Sequence, residues 1–438
     1  MIFSLYNSEE NASVKLLERN FYMSVRNHEN KIKARKRRKN AIAVCTALAL
    51  VLLTVVIVVV AMGPYDARGL EYEVNEDGVT CTITGVGSCR AKKVDIPEYM
   101  DGYRVTAIGK NVFYNYGIPE NKTPENTNPV EGETPKNSTL KEITIPDSVT
   151  VIGSGAFYGC NQLKKVTLPD GLKTLGTAAF YNCTSLNDVV LPDGLELLGE
   201  AVFYNCQSLE IMTIPDGITK IGQGLFYDCK ALKTLHFSED VTEIGSMAFY
   251  GCSSLQELVI PDGVTEIADW LFAHCTSLKK VTVPDGITRI GERAFSSCVN
   301  LESIRIPEGV KEIVNHAFFE CKKLTEITLP NSVTTLGVYA FNDCAALTSV
   351  KLSEALTEIG NRTFDGCLAL ETITVPASVE TIGQAVFASA GIKKFYYDGT
   401  VAEWTAVKKD DRWYAVTELK EVFCSDGTVA LESSSSDS

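Results

Sequence analysis

From residue 140 to residue 390 the apolar positions follow one 23-residue metre, written eleven times as L-x-x-I-x-I-P-D-G-V-T-x-I-G-x-x-A-F-Y-x-C-x-S. Phe157, Phe180, Phe203, Phe226, Phe249, Phe272, Phe295, Phe318, Phe341, Phe364 and Phe387 mark it without a slip. One copy, such as Leu140, Ile143, Ile145, Val149, Ile152, Ala156 and Phe157, holds too few apolar groups to close a core. Each copy therefore needs a neighbour on both sides, and a fixed period of this kind predicts a solenoid.

Within a copy the pattern changes period. A run such as residues 163–168 has strand character, and Pro-Asp-Gly stops it, because proline cannot donate to a ladder and Asp-Gly suits a turn. A second short extended piece at 172–175 leads to Gly176, and the spacing then predicts a helical turn through Ala179, Phe180 and Cys183. The expected fold is an α/β repeat of about twelve rungs, each with short parallel strands and one helical turn.

Motifs such as VTLPDGLKTLGTAAFYNCTSL resemble the BspA-like leucine-rich repeats of bacterial surface proteins, with a phenylalanine and a cysteine in the final turn. The stretch IPEYMDGYRV, where Pro97 opens a longer turn, is similar to the first rung of such arrays. KKFYYDGTVAEWTAV is similar to the segment that ends them. The resemblance implies a curved leucine-rich repeat solenoid and adhesion to an extracellular protein or glycan ligand. The alternative is a structural or sensory envelope protein whose ectodomain binds a cell-envelope partner.

The flanks divide the chain. Residues 1–40 hold ten Lys or Arg against four Asp or Glu, and 41–62 hold no charge, so of the formal net charge of −14 the remainder carries −20. So acidic a remainder excludes a nucleic-acid partner. The uncharged run AIAVCTALALVLLTVVIVVVAM is long enough as a helix to cross a hydrocarbon core of about 30 Å. Lys31, Lys33, Arg35, Lys36, Arg37, Arg38 and Lys39 before it predict a cytoplasmic N-terminus and an extracellular repeat domain. The run is longer than a signal peptide's apolar region and lacks a small-x-small site, so it reads as an uncleaved, single-pass anchor.

The expected organisation is therefore a basic tail (1–40), a transmembrane helix (41–62), a linker and N-terminal cap (63–86), the solenoid (87–392), a C-terminal cap (393–430) and a disordered tail (431–438). Between Phe113 and Phe157 the step is 44 residues, and the Pro-, Asn- and Glu-rich surplus at 116–138 predicts an exposed loop. After Thr400 a helix is expected, with Trp404 covering the open end of the core.

The chemistry is sparse. Ten cysteines at the same spacing, Cys160 to Cys367, invite disulfides in an extracellular chain. In-register stacking holds equivalent side chains parallel rather than converging, which predicts buried thiols instead. Cys81 and Cys89 lie in the cap, where either a disulfide or two thiols fits. An acidic column after the turn proline, Asp147 onward, lacks the convergence a calcium site needs. No catalytic set, metal site or cofactor motif is legible.

The outward position of the first strand reads Thr144, Thr167, Val190, Thr213, His236, Val259, Thr282, Arg305, Thr328, Lys351 and Thr374. Threonine there is equally a good β-former on an exposed face and part of the surface that solenoids use for binding. Thr213, His236, Thr282, Arg305, Thr328 and Lys351 form the expected ligand face, the three basic groups being suited to an anionic partner.

Overall fold

A computed structural model describes residues 67–114, 139–410, 412–414 and 419–431. Rungs are numbered here by their phenylalanine, from 1 (Phe157) to 11 (Phe387), with an opening rung around Phe113. The expected transmembrane helix and basic tail lie outside the described residues, as does the insertion. Among the described residues no helix is long and apolar enough to cross a membrane.

Rung 2 shows how the sequence becomes a coil. Strand Lys165–Thr167 alternates exposed, buried and exposed, so only Val166 enters the core. Pro169 accepts from Leu172 N–H at 3.1 Å and turns the chain into strand Thr174–Leu175, whose Leu175 is buried. Neighbouring rungs pair in parallel with like opposite like: Glu142 to Lys165, Ile143 to Val166, Val151 to Thr174. The stacked parallel strands of the expected solenoid are present.

The expected helical turn is not, and this corrects the α/β reading. After Gly176 the N–H groups of Ala179, Tyr181 and Cys183 close turns on Gly176, Ala178 and Phe180 at 3.1–3.2 Å. The intervening N–H groups of Ala178, Phe180 and Asn182 donate instead to Glu200, Val202 and Tyr204 of the next rung at 2.8–3.0 Å. An α-helix would keep every donor inside the segment. Here left-handed residues at Ala178 (φ 55°) and Asn182 (φ 58°) break the spiral every fourth position and turn alternate donors outward. The result is linked turns that form a third ladder between rungs.

Inside the coil the phenylalanine rings lie face to face in one column, from Phe113 to Phe387, with centroids 5.0–5.9 Å apart. Phe113 stacks on Phe157 at 5.0 Å although 44 positions separate them, so the column keeps its register across that step.

Both ends are closed. At the N-terminal end Glu71–Val74 pairs antiparallel with Thr80–Gly85, which runs parallel to Tyr103–Ile108. At the other end Lys394–Tyr397 extends the first-strand ladder, and helix Val401–Ala406 follows a Thr400–Glu403 capping box. Trp404 and Trp413 are buried, and Trp413 sets its edge to Phe387 at a centroid distance of 6.0 Å. Hairpin Glu421–Cys424 with Gly427–Ala430 completes the cap.

Candidate functional site

The first strands put Thr213, His236, Thr282, Thr328 and Lys351 on one exposed face, while Arg305 is exposed in the same column but lies outside any strand. Thr213 lies directly opposite His236 on the neighbouring strand, Thr328 opposite Lys351, and Thr282 opposite Val259. Arg305 is placed differently: its guanidinium reaches the turn of rung 7 and binds Asp285 at 2.6 Å. One of the three expected cations is thus already paired. Lys165 with Asp188 (2.7 Å) and Lys233 with Glu210 (2.8 Å) make similar exposed pairs across rungs, which add little stability but neutralise the face locally.

The sequence reading missed the groove beside His236. Between rungs 3 and 4, and again between rungs 5 and 6, no main-chain hydrogen bond joins either the first strands or the second strands among the described residues. The turn ladder continues across both junctions, for example Phe203 N–H to Leu225 O and Phe249 N–H to Leu271 O. Between rungs 5 and 6 the opening is a groove of about 580 Å³, lined by Lys233, Thr234, His236, Phe237, Glu239, Gln256, Glu257 and Val259 among others. The facing edges of Thr234–His236 and Glu257–Val259 offer unpaired N–H and C=O groups to whatever enters. Such groups bond to water or ligand rather than remain alone.

Two departures from the repeat border it. Phe237 occupies a column filled elsewhere by Ile, Leu or Val, and Ser238 replaces the turn proline. The Phe237 ring sets its edge to Phe249 of its own rung at 5.9 Å. On the turn edge, Tyr158, Tyr181, Tyr204, Tyr227 and Tyr250 stack at only 4.3–4.5 Å, while the phenylalanines from Phe180 to Phe272 stand 5.6–5.9 Å apart. The tyrosine stack crosses the open junction between rungs 3 and 4 and ends at rung 5, since Ala273 holds its position in rung 6. Exposed apolar groups border the openings: Val190 (75%), Ile211 (60%) and Val259 (66%). The signal legible in the sequence was the paired departure at Phe237 and Ser238.

The repeat cysteines are thiols. Each donates to the carbonyl of the phenylalanine one rung back, as Cys206 Sγ does to Phe180 O at 3.2 Å, across all ten at 3.0–3.3 Å. Burial pushes Cys275 up to about 12, far from the range of a nucleophile. Cys81 and Cys89 are both buried in the cap, and Cys81 Sγ faces Tyr103 O at 3.7 Å. Among the described residues no cluster of His, Cys, Asp or Glu is suited to a metal ion.

Among curated proteins none matches the chain. A leucine-rich cell surface protein from Faecalibacterium prausnitzii A2-165 is 27% identical, with 80% of this chain and 99% of that one covered at a TM-score of 0.53. A leucine-rich repeat protein from Bacteroides ovatus ATCC 8483 shares the fold at 22% identity, covering 80% and 98% of the two chains at a TM-score of 0.60. The family described as BspA type leucine rich repeat region matches residues 87–210, 196–322 and 288–406. With most of its length so matched and its rungs so stacked, the chain belongs to the BspA-type leucine-rich repeat family.

Proposed function

We propose that the protein is a cell-surface binding module, anchored by residues 41–62 with its N-terminus in the cytoplasm, that holds an extracellular protein or glycan ligand on the first-strand face. The observation that carries this reading is the groove between rungs 5 and 6, where unpaired strand edges, His236 and exposed apolar groups meet. Its volume falls in the range of small-ligand sites or of one sugar unit or side chain from a larger partner. A relative named as a cell surface protein supports the location. The uncharged segment behind seven basic residues supports the anchor. No catalytic step is assigned to the face.

The test is capture of ligands from matrix proteins, glycans and envelope extracts, comparing the parent chain with His236→Ala and with Lys351→Ala. Loss of capture with His236→Ala, at unchanged melting temperature, is expected. Equal capture by parent and both variants would move the ligand site off this face.

A further inference from the structure

The tyrosine column is not needed to stack rungs. Ala273, Ser296 and Asn342 occupy its position in rungs 6, 7 and 9, and rungs 6 to 9 keep an unbroken second-strand ladder. What the tyrosines add is a set of phenols in fixed contact. Tyr204 lies 4.3 Å from Tyr181 at 7° and 4.3 Å from Tyr227 at 2°, so its two faces are each covered by a parallel phenol. All three are half-buried, with ring edges at the surface and faces closed to other molecules.

We propose that this column is a site of oxidative modification, in which hydrogen peroxide and a haem peroxidase join Tyr204 to Tyr181 or Tyr227 as dityrosine. Each phenol loses one electron and its hydroxyl proton to give a phenoxyl radical. Two radicals on adjacent rungs then form a carbon–carbon bond between ring carbons next to the oxygens. Each of those carbons gives up its hydrogen as a proton, and each phenoxyl oxygen takes one back, restoring two phenols. The pair has lost two hydrogen atoms, and one peroxide has become two waters. In solution such radicals must find each other; here the meeting is built in, which is the usual source of large intramolecular advantages. Burial holds Tyr181, Tyr204 and Tyr227 above the ordinary phenol range, with both phenol neighbours adding to it at Tyr204, so each enters as the neutral phenol. A Tyr204–Tyr227 bond would cross the junction between rungs 3 and 4, where neither strand ladder closes.

The experiment treats the purified full-length chain with peroxide and peroxidase. Expected are a monomer lighter by two hydrogens per link, dityrosine fluorescence, and digest fragments joining Tyr204 to Tyr181 or Tyr227. Tyr204→Phe keeps the ring in the stack and should remove every link through residue 204, leaving only those of Tyr158 with Tyr181 and of Tyr227 with Tyr250. Prior unfolding in urea should remove them too. Undiminished linkage in Tyr204→Phe or in the unfolded chain would overturn the proposal. So would linkage confined to exposed tyrosines such as Tyr99, or only between chains.

Discussion

At the scale of the residue, the phenylalanine carbonyl has a task beside that of its ring. Phe180 O accepts both Cys183 N–H at 3.1 Å and Cys206 Sγ at 3.2 Å, so one atom closes its own turn and holds the next rung. Removing the ring is nonetheless the larger insult, because it leaves a void in a column with neighbours above and below. Phe272→Ala should cost about 3–5 kcal/mol, measured as a fall in the denaturant midpoint. A second residue gives a pH dependence. His316 stacks on Tyr339 at 4.8 Å, meets the edge of Phe319, and has its Nδ1 buried without a partner. Burial first, then Arg293, lower its pKa, against a smaller opposing effect of Glu292. Above the unfolded value of about 6.5 both states are neutral and nothing is lost. As pH falls below it, the unfolded chain takes the proton before the native one does, so stability declines toward the folded pKa. Melting temperature should fall on going from about pH 7.5 to about 5.5, and His316→Phe should flatten part of that fall.

Elements show which features the periodicity could and could not convey. The phenylalanine column and the Pro-Asp-Gly turns set register, and like residues do lie opposite like. The final turn was misread as helical because Ala, Phe and Leu dominate it. Yet Gly155, Asn182, Asn205, Gly224, Asp228 and Gly251 all sit at its left-handed positions, and these residue types are the ones that tolerate positive φ. The opened junctions are a different matter, because periodicity records which rungs are neighbours and not how far apart their strands stand. At the groove the local departures from the repeat are Phe237 and Ser238. Restoring the column pattern with Phe237→Ile and Ser238→Pro should let strands Thr234–His236 and Glu257–Val259 pair. Amide exchange at Leu235 and Val259 should then slow. Exchange as fast as in the parent would show that these two departures do not open the junction.

For the molecule as a whole, the proposed topology makes its own prediction. Protease added to intact cells should remove the repeats and leave a membrane-bound stub of about the first 62 residues. Spontaneous release of the repeat domain with a new N-terminus near Gly63 would count against the anchor. Arg305 illustrates what the whole adds to the part: a lone cation in a sequence column, it is half of an exposed pair once rung 7 is stacked beneath it. Arg305→Ala should therefore leave melting almost unmoved, as exposed pairs contribute about 0–1 kcal/mol.

The unbroken turn ladder has a consequence for how such a chain changes over generations. Because each rung offers the next an edge of identical register, a gene that gains or loses one 23-residue unit by unequal recombination still encodes an array whose two caps meet compatible neighbours. Copy number is then a free variable of inheritance, and so is the length of the stacked array that carries the groove.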